Sequence, residues 1–461
     1  MSMVFKTRSS VGLAMSVAAT VAGLLFAGAQ ALADTTNTNP WVAGAPIPPD
    51  PAGGGLTGRT EGACASVIGG KIYHADGFDP AGGDTAGLRI YDPTTDTWSL
   101  GPMAPAAGSE FYEGVAHGGK LYCIGGRDNA GTPLIFDTAT NTWSTGAAIP
   151  GGARSGLAAA TFGDSIFVFG GRSPGAPCSG AAIPAGSGTS DNILRYDIGT
   201  DTWSGAGNLA VARSDATAAR VGSHIFIFGG CDTSATFPDP GEVYNVKTGT
   251  SSPLSATMPG GGRADLAAAD PQNGGSANAS HRIHITGGYN YSTGGPGTAL
   301  NHIIYDVDQG SFSVGVPMPT HCTGDVDRAE LDTVYQGDRI SAVGGSCPGF
   351  GASINNLDTQ KLSDPPAHSA SATAYSCGAS TFPICPVQLA GLSIAFVTGT
   401  GFAPLSTVTL TSSLQGALAT AITDVQGGLT LTYLDTSCNG LADTVTVTDN
   451  FGNTASDTFN C

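Results

Sequence analysis

The stretch Asn192-Ile-Leu-Arg-Tyr-Asp-Ile-Gly-Thr-Asp-Thr-Trp203 decides how this chain is read. An apolar run ends in the pair Tyr196-Asp197, and six residues after Asp197 the next run opens with Trp203. The same spacing leads from Tyr91-Asp92 to Trp98, from Phe136-Asp137 to Trp143 and from Tyr305-Asp306 to Phe312. Tyr244-Asn245 keeps the register but reaches Ser251, and Leu357-Asp358 reaches Asp364. A turn of fixed length between two short strands, recurring roughly every 45 to 60 residues, marks a repeat architecture.

Working outward, Trp41-Val-Ala-Gly-Ala-Pro-Ile-Pro48 resembles Trp143-Ser-Thr-Gly-Ala-Ala-Ile-Pro150, which lies inside a repeat. It reads as the last strand of a repeat stranded at the front of the chain. The sixth repeat, near Asp358, lacks its own aromatic strand, so the Trp41 strand is expected to complete it and close a ring. Closure removes the exposed edges of an open array of sheets. Each repeat then reads d-a-b-c. Strand d starts at the aromatic, and strand a is small and apolar, as in Leu157-Ala-Ala-Ala-Thr-Phe162. Strand b ends in a glycine pair at Gly125-Gly126, Gly170-Gly171, Gly229-Gly230, Gly287-Gly288 and Gly344-Gly345, with Asp76-Gly77 in the first repeat. Paired glycines permit positive φ and close backbone approach.

The glycine pair, the Tyr/Phe-Asp and the aromatic six residues on resemble the kelch motif. The resemblance spans about six copies over residues 41–365. It implies an all-β fold, a six-bladed β-propeller of four-stranded antiparallel blades over residues 34–365. It says little of function, since kelch propellers serve both as binding scaffolds and as enzymes.

Composition agrees with many short strands: 461 residues hold 69 glycines and only 12% charged residues. Lys and Arg number 18 against 36 Asp and Glu, a balance that argues against nucleic acid or anionic membrane as partners. Residues 1–33 read as a signal peptide, with basic Lys6 and Arg8, an apolar Val11–Phe26 run and Ala31-Leu-Ala33 at the cleavage site. Cleavage there leaves 18 − 2 = 16 basic against 36 acidic residues, a net charge of −20. The apolar run is too short for a membrane span, and no later stretch offers one. The expectation is a secreted or surface-exposed monomer. Residues 366–384 read as a Pro/Ala/Ser-rich linker. Residues 385–461 alternate at period two in Leu392–Val397, Thr407–Leu410, Leu429–Tyr433 and Thr444–Thr448. They resemble the small immunoglobulin-like sandwiches appended to bacterial secreted proteins.

In an antiparallel d-a-b-c blade the d–a and b–c connections share one face. The longest b–c loops run Asp76–Leu88, Arg172–Asn192 and Tyr289–His302, so that face is where a ligand is expected. Strand a opens there with a second pattern. Arg59-Thr-Glu61, Arg213-Ser-Asp215, Arg263-Ala-Asp265 and Arg328-Ala-Glu330 align; Arg154-Ser-Gly156 keeps the Arg, and Phe111-Tyr112-Glu113 keeps the acid. Ringed around the channel mouth, these groups suit a glycan, a small acid or a protein ligand. The plainer alternative pairs each Arg with an acid of its own or the next blade.

Catalytic signatures are sparse, and the reading leans away from an enzyme. Galactose oxidase-like copper enzymes resemble this architecture, but the single Tyr-His pair, Tyr73-His74, sits within strand b, and Thr60 stands where the crosslinking Cys would be needed. Neither a metal nor another cofactor is expected. An enzyme acting on a sugar or sugar acid at the channel mouth, epimerase- or mutarotase-like, remains the alternative. His281 and His284 point to opposite faces of a strand, and the acidic run Asp325–Asp332 lacks the glycine and spacing of a calcium loop. Ten cysteines in an exported chain predict disulfides. The shared face predicts Cys178–Cys231 and Cys322–Cys347. Cys377, Cys385, Cys438 and Cys461 pair among themselves in one of three ways. Cys64 and Cys123 both sit in propeller strands, which favours buried thiols, and the sequence leaves open whether they are bridged.

Overall fold

The computed structural model describes residues 32–33, most of 37–362, and seven strands between 371 and 460. Inside the second span it omits 50–56, 82, 106–110, 128–130, 174–188, 233, 235, 273–280, 291–299, 323–326 and 348–351. The described chain is all strand and turn. None of its helices is long and apolar enough to cross a membrane.

Six antiparallel sheets form six blades. Their innermost strands are Cys64–Ile68, Tyr112–His117, Ala158–Phe162, Ser214–Val221, Ala264–Ala269 and Asp332–Gln336. Each packs beside the next, and Asp332–Gln336 packs beside Cys64–Ile68, which closes the circle. Strand order runs a-b-c-d in every blade. In blade 4 the strands are Ser214–Val221, His224–Cys231, Glu242–Asn245 and Thr250–Pro253. In blade 6 they are Asp332–Gln336, Arg339–Val343 and Leu357–Lys361, with Trp41–Ala43 outermost and Trp41 opposite Gln360. Blade 5 gains a parallel fifth strand, Leu32–Ala33, against Ser313 and Val314. Inner strands are buried along nearly their whole length, whereas outer strands expose most positions, as in Thr142–Thr145. Small residues dominate where blades crowd. A Cβ on Gly114 would stand 2.5 Å from the backbone N and O of Ala65 in the neighbouring blade.

The six-residue spacing has a specific job. Between Tyr91 and Trp98 the chain turns through Asp96, a non-glycine residue at φ 52°. Asp and Asn tolerate this left-handed region better than most residues. Asp96 Oδ1 accepts bonds from Tyr91 OH and from Ala45 N, both at 2.8 Å. Trp98 Nε1 then donates to Ala45 O at 2.8 Å. Acid and indole thus clamp the backbone N–H and C=O of one residue of the preceding blade. Asp201 and Trp203 clamp Ala147 in the same way. Trp143 donates to Pro102 O and Trp41 to Val316 O, each at 2.9 Å. Blades 4 and 5 cannot form this bond, because Ser251 and Phe312 carry no indole. Tyr244 OH reaches Ala206 O at 2.7 Å at the blade 3–4 boundary instead.

Two of the expected cysteine assignments meet the described residues. Cys322 and Cys347 are bridged. Cys64 and Cys123 form a disulfide as well, with Cα atoms 5.6 Å apart, in place of the buried thiols that their strand positions favoured. The close approach of blades 1 and 2 at Gly114 brings an inner strand within bridging reach of its neighbour's second strand. Cys231 is disulfide-bonded, while Cys178, its expected partner, lies outside the described residues. So do the side chains of Cys377, Cys385, Cys438 and Cys461.

The C-terminal strands form two antiparallel sheets. One contains Ser371–Cys377, Ser393–Thr400 and Leu429–Asp435; the other contains Thr407–Ser412, Gly416–Ile422, Ala442–Asp449 and Thr454–Asn460. A strand therefore occupies part of the stretch read as linker.

Candidate functional site

Strand a of every blade is entered through one residue in the left-handed region: Gly62, Phe111, Gly156, Asp215, Asp265 and Glu330, at φ between 53° and 63°. Their backbones join in a belt around the channel mouth. Gly62 N donates to Glu330 O, Phe111 N to Gly62 O, Gly156 N to Phe111 O, Asp215 N to Gly156 O and Glu330 N to Asp265 O, at 2.6 to 3.3 Å. This belt sets the true register of the second pattern and corrects it in two blades. In blade 1 the position of the arginine is held by Thr60, not Arg59; Arg59 is exposed, and Glu61 stands one place before the belt. In blade 2 the belt residue is Phe111, so Tyr112 and Glu113 lie one and two residues further into the strand.

The glycine pairs are tied to the same positions. The N–H of Gly230 donates to Arg263 O at 2.9 Å, and that of Gly345 donates to Thr60 O at 2.6 Å. A Cβ on Gly229 would meet Arg263 O at 2.3 Å, closer than any side chain permits. The glycines thus dock blades 3, 4 and 5 onto the arginine carbonyl of the next blade, and blade 6 onto the Thr60 carbonyl.

The arginine side chains point into the blades. Arg213 and Arg263 are 1% exposed and Arg328 is fully buried. Arg213 donates to Glu242 at 2.9 Å and to Gly229 O. Arg328 donates to Asp358 at 2.8 Å and to the carbonyls of Gly344 and Asn356. Arg263 reaches Leu300 O, and half-buried Arg154 reaches Gly170 O. Burial lowers the Arg263 guanidinium to about 10, against the opposing pull of Asp327 and Asp239. It stays charged at neutral pH.

The acids behave differently. Asp215, Asp265 and Glu330 line the channel, with Glu113, Asp332 and Asp270 further along it and Tyr112 in the wall. The cavity they line has a volume of about 90 Å³. Burial drives the Glu113 carboxyl well above its usual range, with Asp332 and Asp270 adding repulsion. Burial does the same to Glu330, with Asp265 and Glu61 adding to it, although Ser346 donates to its Oε2 at 2.8 Å. Asp332 is pushed up to about 8 by burial, opposed by the Ala65 N–H. His74 lies 3.8 Å from Asp332 but is not its ion-pair partner, because burial and Arg89 lower it to about 3.

Residues outside the motif complete the mouth. Arg172 donates to Asp215 Oδ2 at 3.1 Å and lies 4.9 Å from the centroid of the Phe111 ring. Arg127 lies 5.2 Å from the same ring. Both arginines directly follow a glycine pair, a position the sequence marks but whose direction only the belt reveals. Elsewhere His281 bonds Asp308 and His284 bonds His302. Among the described residues, no three His, Cys, Asp or Glu converge to hold a metal ion.

Comparison with known families finds the Kelch motif at residues 111–148, 153–209 and 212–257. No curated protein matches the chain at a significant level. The three matched stretches fall on blades 2, 3 and 4, and motif and fold together support a kelch-repeat β-propeller.

Proposed function

We propose that this protein is a binding scaffold whose partner is another protein, received at the mouth where the d–a and b–c connections meet. The observation that carries the reading is the Phe111 ring held between Arg127 and Arg172 on the rim of a six-bladed kelch propeller. Aromatic and arginine side chains are the residue types that dominate protein interfaces. A small acid fits less well, because the guanidiniums of Arg213, Arg263 and Arg328 are spent inside the blades. We further propose that the chain is exported after cleavage near Ala33, that the Trp41 strand closes the ring, and that the two C-terminal sheets form an immunoglobulin-like module. The disulfides, the clamp from Trp41 to Val316 and the three-plus-four strand pattern support these three readings respectively.

The test is peptide display against the full chain. Enriched peptides should lose binding at least tenfold to Phe111→Ala and to Arg127→Ala. Failure to enrich any peptide, or enrichment that ignores both substitutions, would contradict the proposal.

A further inference from the structure

At three blade boundaries the aromatic of strand b packs on the strand c aromatic of the next blade. The ring centroids are 6.0 Å apart for Tyr73 and Phe136, 5.7 Å for Phe167 and Tyr244, and 5.6 Å for Phe226 and Tyr305. The equivalent rings between blades 2 and 3 are Tyr122 and Tyr196. Among the described residues, no ring contact joins these two. A cavity of about 300 Å³ lies there instead. It opens on the face opposite the channel mouth, since Gly118 of the a–b turn and Asp201 of the c–d turn help line it. Its blade 2 wall is a single cross-strand row, Tyr122 opposite Ile135 and Ile135 opposite Ser144. Directly opposed residues share one face of a sheet. Trp143 reaches back to Pro102 of blade 1, so its strand neighbour Ser144 faces blade 3. The blade 3 wall is Tyr196 with Ile198 and Asp201.

The charged groups on the rim already have partners. Lys120 Nζ lies 3.1 Å from Asp137, and His117 Nε2 lies 3.0 Å from Asp164. Asp201 accepts from Tyr196 OH and from Ala147 N. Tyr122 differs. It is 3% exposed, it lines the cavity, and its hydroxyl bonds to no described group. A buried hydroxyl without an acceptor is unfavourable. A rim of paired charges offers little to an ion. Apolar walls from two blades, with one hydroxyl awaiting an acceptor, suit a flat ring that brings an acceptor with it. We propose that the gap between blades 2 and 3 binds a small planar aromatic molecule, its ring between Tyr122 and Tyr196 and its acceptor bonded by the Tyr122 hydroxyl. Such a ring completes the packing that the other boundaries make from their own side chains. The site lies away from the channel mouth, so its test is independent of any partner received there.

Ligand-detected NMR titration of the full chain tests this with acetophenone, its saturated counterpart cyclohexyl methyl ketone, and ethylbenzene, which lacks the acceptor. Acetophenone should bind saturably and more tightly than either, by about tenfold over ethylbenzene, as one hydrogen bond allows. Ser144 is exposed, so Ser144→Phe should melt as the parent does while filling the cavity and abolishing binding. Tyr122→Phe should remove the advantage of acetophenone and leave ethylbenzene binding unchanged. No saturable binding, equal binding of the aromatic and saturated ketones, or acetophenone binding that survives Ser144→Phe would overturn the proposal. Should Ser144→Phe fail to fold, Tyr122→Phe decides: loss of the preference for acetophenone over ethylbenzene supports the site, and a retained preference refutes it.

Discussion

The arginines and the acids of one three-residue pattern end in opposite environments. Arg328 is fully buried between strands of blade 6 and makes bonds to Asp358, Gly344 and Asn356. Glu330, two residues on, faces other carboxylates across the channel. Glu330 is itself the left-handed residue that opens strand a, at φ 53°, and the chain turns there between the guanidinium inside the blade and the carboxyl on the channel wall. The pattern thus has a structural half held inside the blades and a second half on the channel wall.

The largest effect should come from breaking the structural half. Arg328→Ala leaves buried Asp358 without its guanidinium, with His321 Nε2 still beside it at 2.8 Å, and removing one partner of a buried pair costs about 3–5 kcal/mol. Urea unfolding should show that loss at neutral pH, and Arg328→Ala with Asp358→Ala should recover part of it. A loss below about 1 kcal/mol would place the arginine with the solvated groups. The smallest effect tests the frame on which both halves hang. Trp98→Phe keeps the ring against Tyr91 but removes the bond to Ala45 O, and should cost about 1 kcal/mol. Phe312→Tyr, at a boundary without the indole clamp, should change stability less than Trp98→Phe does.

The propeller was legible because its signals are local. A turn of fixed length and a glycine pair recur within each blade, and their spacing survives without knowledge of the neighbours. The mouth was legible only in part. Arg213, Arg263 and Arg328 were found with their acids, but Arg59 and Phe111-Tyr112-Glu113 were placed one and two residues out of register. Sequence spacing alone cannot say which residue takes the left-handed turn when it is Gly62 in one blade and Phe111 in another. Glu242 and Asp358, which hold the arginines, lie 29 and 30 residues away and only the blade register joins them. The Cys64–Cys123 bridge was left open for a related reason, since it depends on how closely two blades approach, as they do at Gly114.

One measurement tests the division directly: urea unfolding of Asp332→Asn and Asp358→Asn, followed from pH 4 to pH 8. Burial raises the Asp332 carboxyl to about 8. As pH climbs above the ordinary carboxylate range, roughly pH 4, the unfolded chain gives up a proton that the folded chain keeps, so this group removes stability progressively up to about 8. The 18% exposure of its side chain lets water screen part of that cost. Relative to the parent chain, the Asp332→Asn variant should therefore gain stability steadily as pH rises. Asp358→Asn loses a carboxylate that Arg328 needs, and should be less stable than the parent at pH 8. Opposite signs at pH 8 are the predicted result. Two losses of similar size, with no growing advantage for Asp332→Asn, would mean that the channel acids are as well paired as the blade acids.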